Sequence, residues 1–92
     1  MLKIEFTSKM KRDLKRMVRR GKDVTVLEKV LDLLVQRIPL PPRNRDHQLS
    51  GMWKDFRECH LENDWLLIYR IFEDRLILSA VRTGTHSDLF NN

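Results

Sequence analysis

The stretch WLLIYRIF, residues 65–72, decides the fold because it is apolar on both sides of an extended chain. Successive side chains of a strand point to opposite faces of a sheet, so this run fits a central strand that is covered on both faces. The polar segments 62–64 and 73–75 predict a turn at each end of the strand. We therefore expect a sheet with residues 65–72 in its interior.

The two flanking segments, residues 53–61 and 76–83, are predicted to pair with this strand in an antiparallel meander. The first of them alternates with period two. Its predicted faces are Phe56, Glu58 and His60 on one side, and Arg57, Cys59 and Leu61 on the other. Cys59 then points away from Glu58 and His60, and we interpret it as a small buried apolar residue.

The N-terminal half is predicted to form a short strand over residues 2–6 and two helices over residues 9–20 and 24–37. Thr7 and Ser8 offer N-cap hydroxyls, and Gly21 ends the first helix. The predicted buried stripes are Met10, Leu14, Met17 and Val18 in the first helix, and Leu27, Val30, Leu31, Leu34, Val35 and Ile38 in the second.

Residues 39–52 are predicted to form a loop that prolines make rigid and that carries His47 to the predicted site. After the last strand, Gly84 breaks the extended chain, and Thr85 is placed to cap a turn with His86 and Phe90 on one side. The predicted fold is α+β: an N-terminal strand, an antiparallel helical hairpin, a three-stranded antiparallel meander that completes a small twisted sheet, and a short C-terminal helical turn. Residues 1–92 form one domain.

Composition narrows the class of protein further. No apolar run is long enough to cross a membrane, and one cysteine excludes an intramolecular disulfide, so we expect a soluble cytoplasmic protein. The net charge of +5 is uneven, because residues 1–46 hold 13 Lys/Arg against 6 Asp/Glu. Such a surface is typical of a solvated helix, of a phosphate-binding face or of a dock for an acidic protein, and charge alone leaves all three open.

Three histidines stand next to carboxylates or hydroxyls in the second half: His47, His60 and His86. Imidazole exchanges protons near neutral pH, with an unperturbed pKa of about 6.5. Taken singly, each is more often a surface residue than a catalyst. Together with Glu58 and Asp64 they suit metal binding or metal-free RNA cleavage, in which a base activates a ribose 2′-OH and an acid protonates the departing 5′-oxygen. The ligand spacings match no recognised closed zinc site, which favours cleavage without a metal or cofactor. Arg82 and Lys54 are candidates to stabilise phosphorane charge.

Four motifs together resemble the YafQ-type toxins, a branch of the RelE/ParE superfamily of bacterial type II toxin–antitoxin systems. They are RDHQLSGMWK at 45–54, FRECH at 56–60, DWLLIYR at 64–70 and RTGTHSDLF at 82–90. The resemblance covers nearly the whole chain and is specific in the combination and order of its motifs. Leu66 stands where RelE itself has an arginine, and the C-terminal tyrosine of RelE is absent, which favours a histidine-based mechanism.

The resemblance implies a RelE-like fold and a ribosome-dependent mRNA endonuclease that arrests translation until a cognate antitoxin neutralises it. The implied partners are the ribosome, mRNA and a DinJ-like antitoxin with an acidic segment, in a toxin–antitoxin heterotetramer formed by a toxin that is monomeric when free. The implied catalytic residues are His47, His60, Asp64 and His86, with Glu58 at a position that is often Asp. Phe90 would stack on a base. We expect the first helix to contact ribosomal RNA through Lys11, Arg12, Lys15 and Arg16.

Two other functions remain compatible with the sequence. A gyrase inhibitor of the ParE branch would share the fold and need no histidine cluster. A non-catalytic basic module that binds RNA or an acidic protein would depend on the first helix and tolerate replacement of all three histidines.

Overall fold

A computed structural model describes residues 1–90 of the chain as a five-stranded sheet with two helices on one face. Residues 91 and 92, which the predicted domain includes, lie outside the described residues. The elements in chain order are β1 (Lys3–Phe6), α1 (Ser8–Arg19), α2 (Val24–Val35), β2 (His47–Gln48), β3 (Arg57–Glu62), β4 (Trp65–Phe72), β5 (Ile77–Gly84) and α3 (His86–Phe90), with 3₁₀ turns at Pro42–Asn44 and Gly51–Trp53.

The predicted α+β class, the meander β3–β4–β5 and the central position of residues 65–72 are confirmed. The strand order is β1-β5-β4-β3-β2, and β1 pairs with β5 in parallel. The predicted sheet had four strands, and the fifth is β2, which lies within the segment predicted as a loop. Its two residues are too few to show an alternating pattern, so no periodicity could reveal it.

Each face of β4 packs against a different apolar cluster. Trp65, Leu67 and Tyr69 face the core beneath α1 and α2, which also contains Cys59 and Leu61. Leu66 and Ile68 face the opposite way, where they pack with Leu89 of α3. We call this second cluster, together with Trp53, Phe56 and Phe90 at its rim, the floor cluster. The prediction that β4 is buried on both faces is therefore confirmed. The floor cluster provides an apolar base for a site on the sheet face opposite α1 and α2.

Helix α1 is turned so that a carboxylate, rather than a valine, faces the sheet. Met10, Asp13 and Met17 are its buried residues, at spacing i, i+3 and i+7. Val18 was predicted to be buried but is 46% exposed. The carboxylate accounts for the rotation, because Asp13 Oδ2 accepts hydrogen bonds from Arg82 Nε at 2.6 Å and from the Thr83 backbone N–H at 3.2 Å.

The helix ends are set by local hydrogen bonds. The predicted N-cap Thr7 accepts from the Met10 backbone N–H at 3.0 Å. Helix α2 ends two residues before the predicted boundary, because Arg37 adopts a positive φ of 58° and Ile38 N–H donates to the Leu33 carbonyl. This pattern is a Schellman motif. Ile38 was predicted to continue the buried stripe, but it lies past the helix and is 43% exposed.

None of the helices among residues 1–90 has the length and hydropathy needed to span a lipid bilayer.

The interpretation of Cys59 as a buried apolar residue is confirmed, since it is fully buried. Burial raises the pKa of its thiol far above the ordinary value, so the nucleophilic thiolate is absent at pH 8. We expect a disulfide reagent such as DTNB to leave Cys59 unmodified in the folded protein at pH 8 and to react within seconds after addition of guanidinium. Labelling of the folded protein at the rate of the unfolded chain would contradict this packing.

Candidate active site

Cross-strand register places the candidate residues in two rows on the sheet face opposite the helices. In the first row, His47 of β2 pairs with Glu58 of β3, Glu58 with Ile68 of β4, and Ile68 with Arg82 of β5. In the second, His60 pairs with Leu66 and Leu66 with Gly84. Residues directly opposite in a sheet share a face. The predicted shared face of Glu58 and His60 is therefore confirmed, with His47 beside them on the edge strand.

Glu58 lies between two imidazoles. Its Oε1 atom is 3.6 Å from His47 Nε2 and 3.8 Å from His60 Nε2. The Glu58 side chain is only 7% exposed, whereas that of His47 is 49% exposed. The Nδ1 atom of His47 lies 2.6 Å from the Arg45 carbonyl oxygen. A carbonyl only accepts, so Nδ1 carries the hydrogen, and the lone pair of a neutral His47 ring is on Nε2, towards Glu58.

His86 is held by one carboxylate at two points. Asp64 Oδ1 accepts from the His86 backbone N–H at 2.9 Å and lies 2.7 Å from His86 Nδ1. These hydrogen bonds hold the pKa of the Asp64 carboxyl below its ordinary value, and the bond from the His86 backbone N–H has the larger effect. A charged Asp64 keeps the proton on His86 Nδ1, which leaves Nε2 free to accept one.

The His86 and His60 rings lie close together, with their planes tilted by 60°. Their centroids are 5.8 Å apart, although the residues belong to β3 and to α3 at the end of the chain. Glu58, His60 and His86 each place one potential ligand atom within 4.8 Å of the other two. The spacing of these residues along the sequence gave no sign of such a set. Its carboxylate and two imidazoles suit copper or zinc, so a transition-metal ion fits these residues.

The floor cluster lies beneath and beside the imidazoles. Phe90 is half-buried, with its ring centroid 6.5 Å from that of His86 and 6.3 Å from that of Trp53. Its predicted helical spacing from His86 is confirmed. Leu66 is fully buried in this cluster.

The predicted cationic residues lie in different surroundings. By register Arg82 lies in the same row as Glu58, but its guanidinium binds Asp13, through Nε at 2.6 Å and Nη2 at 3.2 Å. Hydrogen bonding to Asp13 is the main reason that the pKa of Arg82 is raised. Lys54 is exposed in the turn after residues 51–53.

The four basic residues expected on α1 do not form one free surface. Lys11, Arg12 and Lys15 are exposed. Arg16 is half-buried, and its Nη2 atom lies 2.5 Å from Asp13 Oδ1. A cleft of about 400 Å³ lies beside the Asp13–Arg82 ion pair on this side of α1, and its lining is Lys9, Arg12, Asp13, Arg16, Arg19 and Arg82.

The sequence interpretation missed Asp13 and Asp88. Asp13 lies on the same helix face as Met10 and Met17, which indicates that it faces inward. In a run of lysines and arginines, however, an aspartate is more readily interpreted as a solvated charge. Asp88 is the fourth residue of Thr85-His-Ser-Asp, a capping-box pattern. Its backbone N–H donates to Thr85 Oγ1 at 3.1 Å, and its Oδ2 accepts from the Thr85 N–H at 2.9 Å. Hydrogen bonds from Arg20, followed by those from Thr85, hold the pKa of the Asp88 carboxyl far below its ordinary value.

Comparison with known proteins identifies the family of the chain. A sequence model of the bacterial YafQ toxins of type II toxin–antitoxin systems matches residues 2–91. The mRNA interferase toxin YafQ of Escherichia coli K12 is 40% identical over 88 residues, which cover 95% of this chain and 94% of that protein.

Solved structures extend the similarity to the fold. A metal-bound toxin from Helicobacter pylori superposes with a TM-score of 0.93 at 48% identity, over 98% of this chain and all of that one. The toxin in the DinJ–YafQ complex of E. coli superposes with a TM-score of 0.88 at 37% identity, over 98% and 99% of the two chains. The chain therefore belongs to the YafQ family of bacterial type II toxin–antitoxin toxins.

Proposed function

We propose that the protein is an mRNA interferase that cuts mRNA on the ribosome by metal-free acid–base catalysis and that a DinJ-like antitoxin neutralises it. The observation that carries the proposal is the convergence of His47, His60 and His86 around Glu58 and Asp64 on one sheet face. The name of the E. coli relative, mRNA interferase toxin, supports the reaction, and the DinJ–YafQ complexes support the partner.

The reaction is an intramolecular transesterification. One imidazole removes the proton from a ribose 2′-OH, and the resulting oxyanion attacks the adjacent phosphorus. The bond from phosphorus to the 5′-oxygen breaks, and a second proton carrier protonates that leaving oxygen. The products are a 2′,3′-cyclic phosphate and a 5′-hydroxyl.

The contacts support two separate proton carriers, one on each side of the site. His86 exchanges the proton through Nε2, since Asp64 engages its Nδ1. His60 and His47 lie on the other side, where Glu58 stabilises either ring when it is protonated. Either side can supply the base, and the other then supplies the acid. Phe90 is placed to stack on a base next to the scissile linkage, and Lys54 is the proposed source of positive charge for the developing phosphorane. The guanidinium of Arg82, the other predicted source, is already paired with Asp13.

Replacing His86 tests the nuclease proposal directly. We expect His86→Ala to abolish cleavage of ribosome-bound mRNA, seen by primer extension, and to leave the melting temperature within a few degrees, because the side chain is half exposed. Arg75→Ala, at the distant β4–β5 turn, is the matched control and should cut normally.

The outcomes of that experiment separate the alternatives. A folded His86→Ala protein that cuts like wild type would contradict the proposed role of His86. A wild-type protein that leaves mRNA intact but inhibits gyrase supercoiling would support the ParE-like function. Growth inhibition that survives replacement of all three histidines would support a basic binding module.

Ribosome binding is proposed to use the exposed lysines of α1. Phosphate contacts release counterions, so affinity falls steeply with salt and each lost contact flattens that dependence. We expect Lys11→Gln/Lys15→Gln to weaken ribosome binding and to lower the slope of log Kd against log salt by about one per lysine. The control is Lys3→Gln/Lys29→Gln, which removes two exposed lysines from β1 and α2. Equal slopes for both double variants and wild type would contradict this use of α1.

A second proposal concerns metal ions at the same residues. Glu58, His60 and His86 fit a copper or zinc ion, and solved structures of H. pylori toxins include a metal-bound toxin and a copper-bound mutant toxin. A bound ion would supply Lewis acidity at the site. We propose that such an ion inhibits the enzyme, because metal coordination occupies the imidazole lone pairs that proton transfer requires.

Metal removal and addition test this second proposal. We expect cleavage to persist after chelation with EDTA and dialysis into the Mg²⁺ that ribosomes need. Micromolar Cu²⁺ or Zn²⁺ should reduce cleavage and raise the melting temperature, and His60→Gln should lose that thermal shift. Loss of cleavage after EDTA treatment, restored by Zn²⁺ or Cu²⁺ alone, would make the metal a cofactor instead.

A further inference from the structure

The helix that carries His86 is too short to hold its own position. Helix α3 contains five residues, and isolated helices of that length do not form in water. Leu89 is its one buried residue. The position of His86 therefore depends on the contacts that tie α3 to the rest of the protein.

One of those contacts comes from the far end of α1. The guanidinium of Arg20 binds the carboxylate of Asp88, through Nη1 to Oδ2 at 2.7 Å and through Nη2 to Oδ1 at 3.2 Å. Two parallel hydrogen bonds between arginine and a carboxylate fix orientation as well as distance. Arg20 is itself anchored, since it is the C-cap of α1 and its Nη1 lies 3.6 Å from the sulfur of the fully buried Met17.

Asp88 passes this constraint to the start of α3. The same Oδ2 atom accepts the Thr85 backbone N–H at 2.9 Å, one residue before His86. Asp88 also packs closely against the backbone of Gly84, because a Cβ added at Gly84 would lie only 2.9 Å from Asp88 Cβ. Asp64 holds His86 from the β3–β4 turn. Arg20, at the C-terminal end of α1, holds α3 through Asp88.

We propose that Arg20 and Asp88 are positioning residues for the reaction, forming a latch between α1 and α3 that keeps His86 opposite His60. This inference rests on the proposed nuclease function. It gives α1 a second role besides its basic surface, since Asp13 within the helix and Arg20 at its C-cap bind the segment 82–88 through Arg82 and Asp88.

A double-mutant cycle in catalysis tests the latch. Arg20→Gln and Asp88→Asn are each expected to lower kcat for cleavage of ribosome-bound mRNA by about tenfold and to leave KM near the wild-type value, because His86 is displaced while the binding surface is unchanged. The double variant should be no slower than the slower single variant, because both changes break the same contact. Arg20→Lys, which keeps a positive charge, should recover part of the rate.

The matched control is the ion pair between Arg37 and Glu73, which is also made through both Nη atoms, has an arginine of similar exposure and lies remote from the imidazoles. Arg37→Gln and Glu73→Gln should leave kcat unchanged. Melting temperatures identify any variant that is inactive because it is unfolded. The ¹H–¹⁵N imidazole spectrum of the free protein gives a readout without RNA, and we expect His86 signals to shift in Asp88→Asn and not in Glu73→Gln.

Three results would overturn the latch: kcat unchanged in both single variants, rate losses that multiply in the double variant, or control variants that lose as much rate. A shift of the His86 signals alone, without a change in kcat, would also count against a positioning role. If the wild-type protein cuts no mRNA, the nuclease proposal fails instead, and the imidazole spectra still report whether the latch positions His86.

Discussion

The register of the antiparallel pairs β2–β3 and β3–β4 is the constraint on which the site depends. A slip of one residue would move Glu58 and His60 to the face beneath the helices and Cys59 to the other. Such a slip is opposed by β3 itself, because it would place Glu58 and His60 in the core under α1 and α2 in exchange for Cys59 and Leu61. The apolar side of β3 thus determines where the titratable residues on its other side stand.

The small size of the chain shapes how the site is assembled. Helices α1 and α2 cover one sheet face, and α3 and the segment around Trp53 cover part of the other, which leaves His47 and His86 about half exposed and His60 mostly buried. Side chains on a partly covered face need polar contacts to hold their orientation. Asp64 does this for His86, the Arg45 carbonyl for His47, and Glu58 for the His47–His60 pair. The two carboxylates therefore orient the rings as well as balance their charge.

Local patterns in the sequence predicted the elements and much of the site. Alternation in residues 56–61 placed Glu58 and His60 on one face, and Gly84-Thr85 predicted the turn that carries His86. What local patterns could not supply were pairings between distant segments. The parallel contact of β1 with β5, the two-residue strand β2, and the contacts from α1 to Arg82 and Asp88 join residues up to 74 positions apart. The inward rotation of Asp13 was hidden for a related reason, since its partner on β5 is what makes a buried charge favourable.

We propose that three imidazoles from distant parts of the chain surround a single ribose–phosphate linkage. Histidine side-chain NMR tests this arrangement during titration with a dinucleotide whose 2′-OH is replaced by hydrogen, so that it binds without being cut. We expect the signals of His47, His60 and His86 all to shift along one saturating curve with a common Kd. Ligand binding that shifts none of the three signals, or shifts them with clearly different Kd values, would contradict a shared site.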